Sequence, residues 1–315
     1  MRTAVEHIMG TAISLAAPED TDPGVFATAA EAAYAYLRRI DEIFSTYKAD
    51  SPISRIRDGR LPLSALAEHP DGDLIREVLA LCGQLQRESG GAFDAWNVGD
   101  PPQFDPSGAV KGWAAENASR ILTARGLTRH ALNAGGDVSV CGGSGPQAAA
   151  SGEVAGTSAG DGDGHGRGDK GGDGGGHAAG AVDATPWRIG VTDPHRPGHT
   201  LFVIERTDGA VATSGTAERG LHVYDPRTRR PATALVQVTV TGPDLALADG
   251  YATAALALAG TGAAVDAYAW LTALAERTGY QSLTVDPDKG VWWTPALRRY
   301  APALPPHPHD APGAA

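Results

Sequence analysis

The sequence has little cysteine: Cys82 and Cys141 are the only two in 315 residues. Two thiols cannot build a disulfide framework. Cys82 falls in a helical apolar pattern and Cys141 ends a strand-like run, so both read as small buried hydrophobes. Long apolar runs are also missing, and nothing approaches the roughly 18 consecutive apolar residues of a membrane-spanning helix. The opening residues, MRTAVEHIMGTAISLAAPED, hold no apolar core of signal-peptide length before Glu6 and His7. A cytoplasmic protein without membrane insertion is therefore expected. Positive charge is scarce as well, with 26 Lys and Arg against 37 Asp and Glu and a formal net charge of −11. That balance argues against nucleic acid as the main partner. It leaves a phosphorylated ligand open, because a metal ion or backbone N–H groups can supply local positive charge.

Apolar content of 42% with 20% charged residues is that of a globular chain, long enough for one large domain or two ordinary ones. One segment departs from this composition. Residues 144–184 carry 14 of the 41 glycines, almost no large apolar side chain, and the run GDGDGHGRGDKGGDGGGH. Without a G-X-Y period this is flexible coil, since it cannot bury enough apolar surface to offset its ordering entropy. Its Asp/Gly alternation lacks the aliphatic position of calcium-binding nonapeptide repeats. The tail, 304–315, is expected to be disordered too.

The remainder mixes helices and strands. Pro23 after Asp22 signals a helix start, and Phe26, Ala30, Ala33, Leu37, Ile40 and Phe44 then recur at helical spacing. Further helices are expected near Leu74 to Ser89, after Lys111 to Ala124, from Leu245 to Ala259 and from Ala263 to Arg277. Strand-like runs are Val5 to Leu15, Ala131 to Val140, Trp187 to Thr192, Leu201 to Arg206, Leu221 to Tyr224, Val236 to Thr241, Ser282 to Val285 and Val291 to Trp293. Helices do not alternate regularly with strands. The pattern predicts an α+β fold with mixed or antiparallel sheets rather than a doubly wound parallel sheet.

Several short segments hold residues a plain core element would not want. Asp249 and Thr253 stand four apart on a predicted helix, so their oxygens share one face. Such a pair suits Mg²⁺ when a phosphate supplies further oxygens, or it is a solvated Asp beside a helix-face Thr. Met9-Gly10-Thr11 interrupts the first strand, as a bulge or as a close approach of backbone to a ligand. Tyr47 ends the first helix, either as a flat platform for a heteroaromatic ring or as a packed side chain. Asp94, after Phe93 in a tight loop, either accepts hydrogen bonds from a ligand ring or caps a turn. Ser107-Gly108 precede a helix with Lys111 in its first turn, an anion site or an ordinary capping turn. In Asn133-Ala134-Gly135-Gly136-Asp137 a double glycine breaks a strand, as it would where backbone must approach something closely. Thr213-Ser214 end another strand, and His222 follows before Asp225-Pro226, as a general base or a satisfied structural histidine.

Taken in order, these segments resemble the ApbE family of FAD:protein FMN transferases. The resemblance rests on Met9-Gly10-Thr11, STYKADSPISRI, GAFD at Gly91 to Asp94, SGAVKG at Ser107 to Gly112 and NAGGDV at Asn133 to Val138. It continues through WRIGVTDP, ATSG, HVYDP and ADGYAT at Ala248 to Thr253. The resemblance implies a T-fold-like architecture with a flavin cleft, in which 1–143 and 185–303 form one catalytic domain interrupted by the insertion. It implies Mg²⁺ held by Asp249, Thr253 and a backbone carbonyl at Gly108. Tyr47 would be the isoalloxazine platform, with Met9, Gly10, Phe93, Asp94, Gly135, Gly136, Asp137, Thr213 and Ser214 around FAD. His222 would accept the proton of the incoming hydroxyl, and Lys111 would add positive potential. The implied reaction moves FMN from FAD to a Thr or Ser of a target protein and releases AMP. An FAD pyrophosphatase or a non-catalytic FAD carrier are the competing readings. Ala95-Trp96 stand where the family continues GAFD with Pro-Thr, which would reshape the pocket rim.

Overall fold

The computed structural model describes residues 1–99, 101–145, 153–155, 185–216, 223–260 and 264–304. Residues 305–315 of the expected tail, most of the glycine-rich stretch, Leu221 and His222 lie outside the described residues. Leu304, expected to begin the disordered tail, is instead buried in the core. Strand β1 (Arg2–Ile8) pairs antiparallel with β2 (Thr11–Ala17) around Met9 and Gly10. Both turn residues have positive φ, 56° and 73°, as two-residue hairpin turns of the primed types require. The single strand expected over Val5 to Leu15 is thus a hairpin, and Gly10 belongs to its turn rather than to a bulge. The same correction applies to Ala131 to Val140. Strands β3 (His130–Ala134) and β4 (Asp137–Cys141) pair antiparallel, with Gly135 and Gly136 at φ 63° and 99° between them.

Further along the chain come β5 (Glu153–Ala155), β6 (Trp187–Thr192), β7 (Thr200–Arg206) and β8 (Gly209–Gly215). The remaining strands are β9 (Tyr224–Asp225), β10 (Arg230–Pro231), β11 (Gln237–Gly242), β12 (Gln281–Val285) and β13 (Val291–Trp293). Eight of them form one sheet in the order β1-β2-β3-β4-β8-β11-β12-β13, antiparallel at every pairing. β5, inside the glycine-rich stretch, lies parallel to β6, and β6 pairs antiparallel with β7.

Strand periodicity sorts this sheet's side chains into two cores. On β8, Ala210 and Ala212 face a helical layer while Val211 faces the small β5–β7 sheet. Trp187, Ile189, Phe202 and Ile204 pack on that second face with Val138, Val140 and Leu283. The helical layer contains α1 (Pro23–Phe44), α2 (Pro52–Arg57), α3 (Gly72–Glu88), α4 (Ser107–Ala124), α5 (Leu245–Leu258) and α6 (Val265–Thr278). Asp22 caps α1 by accepting the Val25 N–H at 2.9 Å, with Pro23 in its first turn. Gly279, at φ 79°, closes α6 in the left-handed conformation.

Helix α5 is buried on nearly every side, and its alanines let neighbours approach closely. A Cβ on Gly112 of α4 would fall 2.5 Å from the Asp249 Cβ and 2.7 Å from the Leu245 carbonyl oxygen. Only glycine at that position lets the two helices cross at this distance. No described helix is long and apolar enough to cross a membrane.

Candidate active site

The turns of both hairpins and the last residues of β8 meet at one end of the large sheet. There, with the first turn of α4 and the middle of α5, they enclose a cleft of about 630 Å³. Residues singled out in the sequence line it, among them Gly10, Phe93, Asp94, Gly108, Lys111, Gly135, Gly136, Thr213, Ser214, Asp249 and Thr253. They come from six separate segments, which the sheet order and the packing of α4 and α5 bring together.

Asp249 is 5% exposed, in a helix whose neighbours are apolar. A buried carboxylate is costly unless hydrogen-bonded, and its Oδ2 accepts the Gly112 N–H at 2.9 Å. One turn further along α5, Thr253 Oγ1 lies 3.0 Å from Ser214 Oγ of β8. Gly108 stands beside this pair, because a Cβ there would lie 3.6 Å from Thr253 Cγ2 and 3.3 Å from the Phe93 ring. Gly108 is inside the first turn of α4 rather than in a turn before it. Lys111 is correspondingly one turn into the helix. Among the described residues no group of three or more His, Cys, Asp or Glu side chains is arranged to hold a metal. The donors here are one carboxylate and two hydroxyls. That hard-oxygen set fits Mg²⁺, which keeps several waters and takes its other ligands from substrate phosphates.

Across the cleft the Lys111 ammonium lies 2.6 Å from Asp137 Oδ2. Asp137 is 0% exposed, and its Oδ1 accepts the Thr213 N–H at 3.1 Å. The expectation that Asp137 touches a ligand is corrected by this burial: it lies behind Lys111, which itself lines the cleft.

Other carboxylates at the cleft are engaged locally. Asp94 Oδ1 accepts the Trp96 N–H at 2.9 Å and Oδ2 the Asn97 amide at 2.6 Å, so the residue shapes its own loop. Asp105 Oδ1 accepts the Ser107 N–H at 2.8 Å, which partly fills the anion site read at this helix start. The Arg196 side chain hydrogen-bonds Asp193 and holds its carboxyl below the usual carboxylate value, against the opposing effect of burial. Asp225 stands outside the lining, between Tyr224 and Pro226 that belong to it. Burial pulls its carboxyl up, yet the hydrogen bonds and charge of Arg227 outweigh it and leave it lowered. Asp94, Asp105, Asp193 and Asp249 therefore line a cleft to which Lys111 brings an ammonium already paired.

Some residues are not brought in. Tyr47 is 99% exposed and outside the lining, so the flat platform expected of it is not at the cleft. Met9 is half-buried in its hairpin turn, packed toward the helical core beside Gly10. His222 lies outside the described residues, although the next residue, Val223, lines the cleft. Sequence reasoning missed Gly112, whose N–H holds Asp249. The signal was present in Gly108-Ala109-Val110-Lys111-Gly112, since glycines four apart mark a helix face that a neighbour can approach.

The fold and cleft define an α+β protein with a cofactor-sized site at the end of an antiparallel sheet, carrying a hard-oxygen cluster beside a paired lysine. The sequence model of the ApbE family matches residues 9–99 and 169–281, and the chain belongs to that family. It is 28% identical over 260 residues to an FAD:protein FMN transferase of Rhodobacter capsulatus, a match covering 80% of this chain. The chain spans only 39% of that relative's length. Among solved structures, it is similar to the ApbE protein of Thermotoga maritima at TM-score 0.64 and 21% identity, over 95% of this chain and 98% of that one. It is also similar to the apo flavinyl transferase ApbE of Pseudomonas stutzeri at TM-score 0.65 and 20% identity, over 95% and 97% of the two chains.

Proposed function

We propose that this protein is a Mg²⁺-dependent transferase that moves FMN from FAD to a Thr or Ser hydroxyl of a target protein and releases AMP. One observation carries the reading: Asp249, Thr253 and Ser214 face the same cleft as the Lys111 ammonium. A diphosphate needs both positive charge and fixed donors, and a cleft lined by four carboxylates needs a cation to accept one. The name of the Rhodobacter capsulatus relative supports the same activity.

In this reading the acceptor hydroxyl oxygen bonds to the FMN phosphorus as the bond from that phosphorus to the bridging oxygen breaks. The bridging oxygen leaves with AMP, and the hydroxyl proton passes to His222. Mg²⁺, held by Asp249, Thr253 and the Gly108 carbonyl, would neutralise charge on the diphosphate. Phosphoryl transfer asks little covalent chemistry of a protein and depends on positioning and charge. Asp249 supplies the one anionic oxygen of the cluster, and Ser214 orients the Thr253 hydroxyl. Lys111 donates hydrogen bonds toward the phosphates. The turns at Gly10 and at Gly135-Gly136 present backbone to the ligand without side chains in the way. Tyr47 has no part in this reading.

The test is incubation with FAD, Mg²⁺ and an acceptor domain, followed by intact-mass measurement. An FMN adduct on the acceptor that is abolished by a chelator supports transfer. Free FMN and AMP without an adduct would make the protein a pyrophosphatase, and unchanged FAD would make it a carrier.

A further inference from the structure

We infer that Asp137 is a positioning residue that fixes the Lys111 ammonium and the Thr213-Ser214 strand end relative to each other, so that donor and oxygen cluster meet one diphosphate together. The inference rests on the reading of the cleft as an FAD site. Its basis is geometric. The two oxygens of one fully buried carboxylate hold different elements. Oδ2 lies 2.6 Å from Lys111 Nζ on α4, and Oδ1 accepts the Thr213 N–H of β8 at 3.1 Å. Ser214, the next residue on β8, turns its hydroxyl to the opposite face and reaches Thr253 on α5 at 3.0 Å.

Asp137 thus joins the two walls of the cleft through a chain running Lys111, Asp137, Thr213-Ser214, Thr253. The Lys111 side chain is 28% exposed while that of Asp137 is 0% exposed, so the pair offers the cleft an ammonium and keeps the carboxylate away from any ligand. An ammonium has three hydrogens. With one committed to Asp137, the others have a fixed direction, and the charge of the pair is near zero. Lys111 therefore acts as an aimed hydrogen-bond donor more than as a free cation. Its long, flexible stem would not hold that aim alone.

Asp137→Asn separates the roles. The amide oxygen can still accept the Thr213 N–H, but the amide nitrogen then faces the ammonium donor to donor and displaces it. Four proteins are compared: wild type, Asp137→Asn, Lys111→Met and the double variant. Each is read by FMN transfer rate, FAD affinity from flavin fluorescence, and Tm. Positioning predicts that Asp137→Asn loses roughly tenfold to a hundredfold in transfer. It also predicts that the double variant transfers no worse than Lys111→Met, because the Asn side chain keeps the Thr213 bond and the change therefore acts only through the lysine. Transfer by Asp137→Asn within about twofold of wild type would overturn the inference. So would a double variant whose loss is the product of the two single losses. If Asp137→Asn does not fold, Lys111→Met against the double variant still decides, since replacing both partners leaves no unpaired buried charge. Wild type that binds FAD but never transfers FMN would sink the proposed function alone. The same comparison then runs on FAD affinity, where non-additivity supports positioning and additivity overturns it.

Discussion

The backbone N–H of Gly112 donates to Asp249 Oδ2 at 2.9 Å, joining α4 and α5 across 137 residues of sequence. The contact holds the single buried carboxylate of the oxygen cluster in place, and it exists only because position 112 has no side chain. Gly112→Ala would place a methyl 2.5 Å from the Asp249 Cβ and force the helices apart. The expected cost is about 1–3 kcal/mol of stability, as for overpacking generally, together with weaker Mg²⁺ dependence of FMN transfer. Urea denaturation and a Mg²⁺ titration check both, and wild-type values in both would refute this account of the helix crossing.

Asp249→Asn keeps the volume and an oxygen acceptor for the Gly112 N–H but removes the negative charge. Folding should be nearly unaffected, while the Mg²⁺ concentration for half-maximal transfer rises by at least about tenfold. A Tm measurement beside the titration separates the effects. Unchanged Mg²⁺ dependence would mean that Asp249 is not a ligand.

His222 is proposed as the proton acceptor because an imidazole with a pKa of roughly 6.5 can take a proton near neutral pH. His222→Ala should lower FMN transfer by roughly 10²–10⁴ and leave FAD affinity and Tm almost unchanged. A joint loss of Tm and FAD binding would instead identify a structural histidine.

The buried His130 should make stability sensitive to mild acid. Its Nδ1 lies 2.8 Å from the Leu127 carbonyl oxygen, which can only accept, so the Nδ1–H donates and Nε2 accepts the Ser119 hydroxyl at 2.8 Å. Burial lowers its pKa from 6.5, so the unfolded state binds the proton first. The stabilisation is fully present above the unfolded value and is lost as pH falls below it, by up to about 1.4 kcal/mol per pH unit. Denaturant melts from pH 7.5 to 5.5 should show the slope in wild type and a smaller one in His130→Leu. Equal slopes would assign the acid sensitivity elsewhere.

The Ser144 N–H donates to the Thr185 carbonyl oxygen at 2.8 Å, and the Ser144 hydroxyl adds a bond to the same oxygen at 3.1 Å. The two ends of the glycine-rich stretch therefore meet. Replacing 146–184 with a short turn removes the edge strand β5 and should change stability by less than about 1 kcal/mol, since closure entropy varies slowly with loop length. FAD binding should persist. Its loss, or a larger destabilisation, would show that the β5–β6 pairing supports the folded part and the site.

Local chemistry was readable from the chain alone. The spacing of Leu37, Ile40 and Phe44, the Asp22-Pro23 start of α1 and the four-residue step from Asp249 to Thr253 all follow from helix geometry, which depends only on neighbours in sequence. The glycine pairs were visible too, but their meaning was not. A positive φ serves a bulge, a close approach or a hairpin turn equally well, and only strand pairing shows that Gly10 and Gly135-Gly136 turn two hairpins. What the tertiary structure decided was which groups share a space. Asp137 looked like a ligand contact until burial put it behind Lys111, and Tyr47 looked like a platform until it proved to stand outside the cleft. Sequence distance carries no information on such pairings. They are set by sheet order and helix crossing, which bring Gly112 to Asp249 and Ser214 to Thr253 across 137 and 39 residues of sequence.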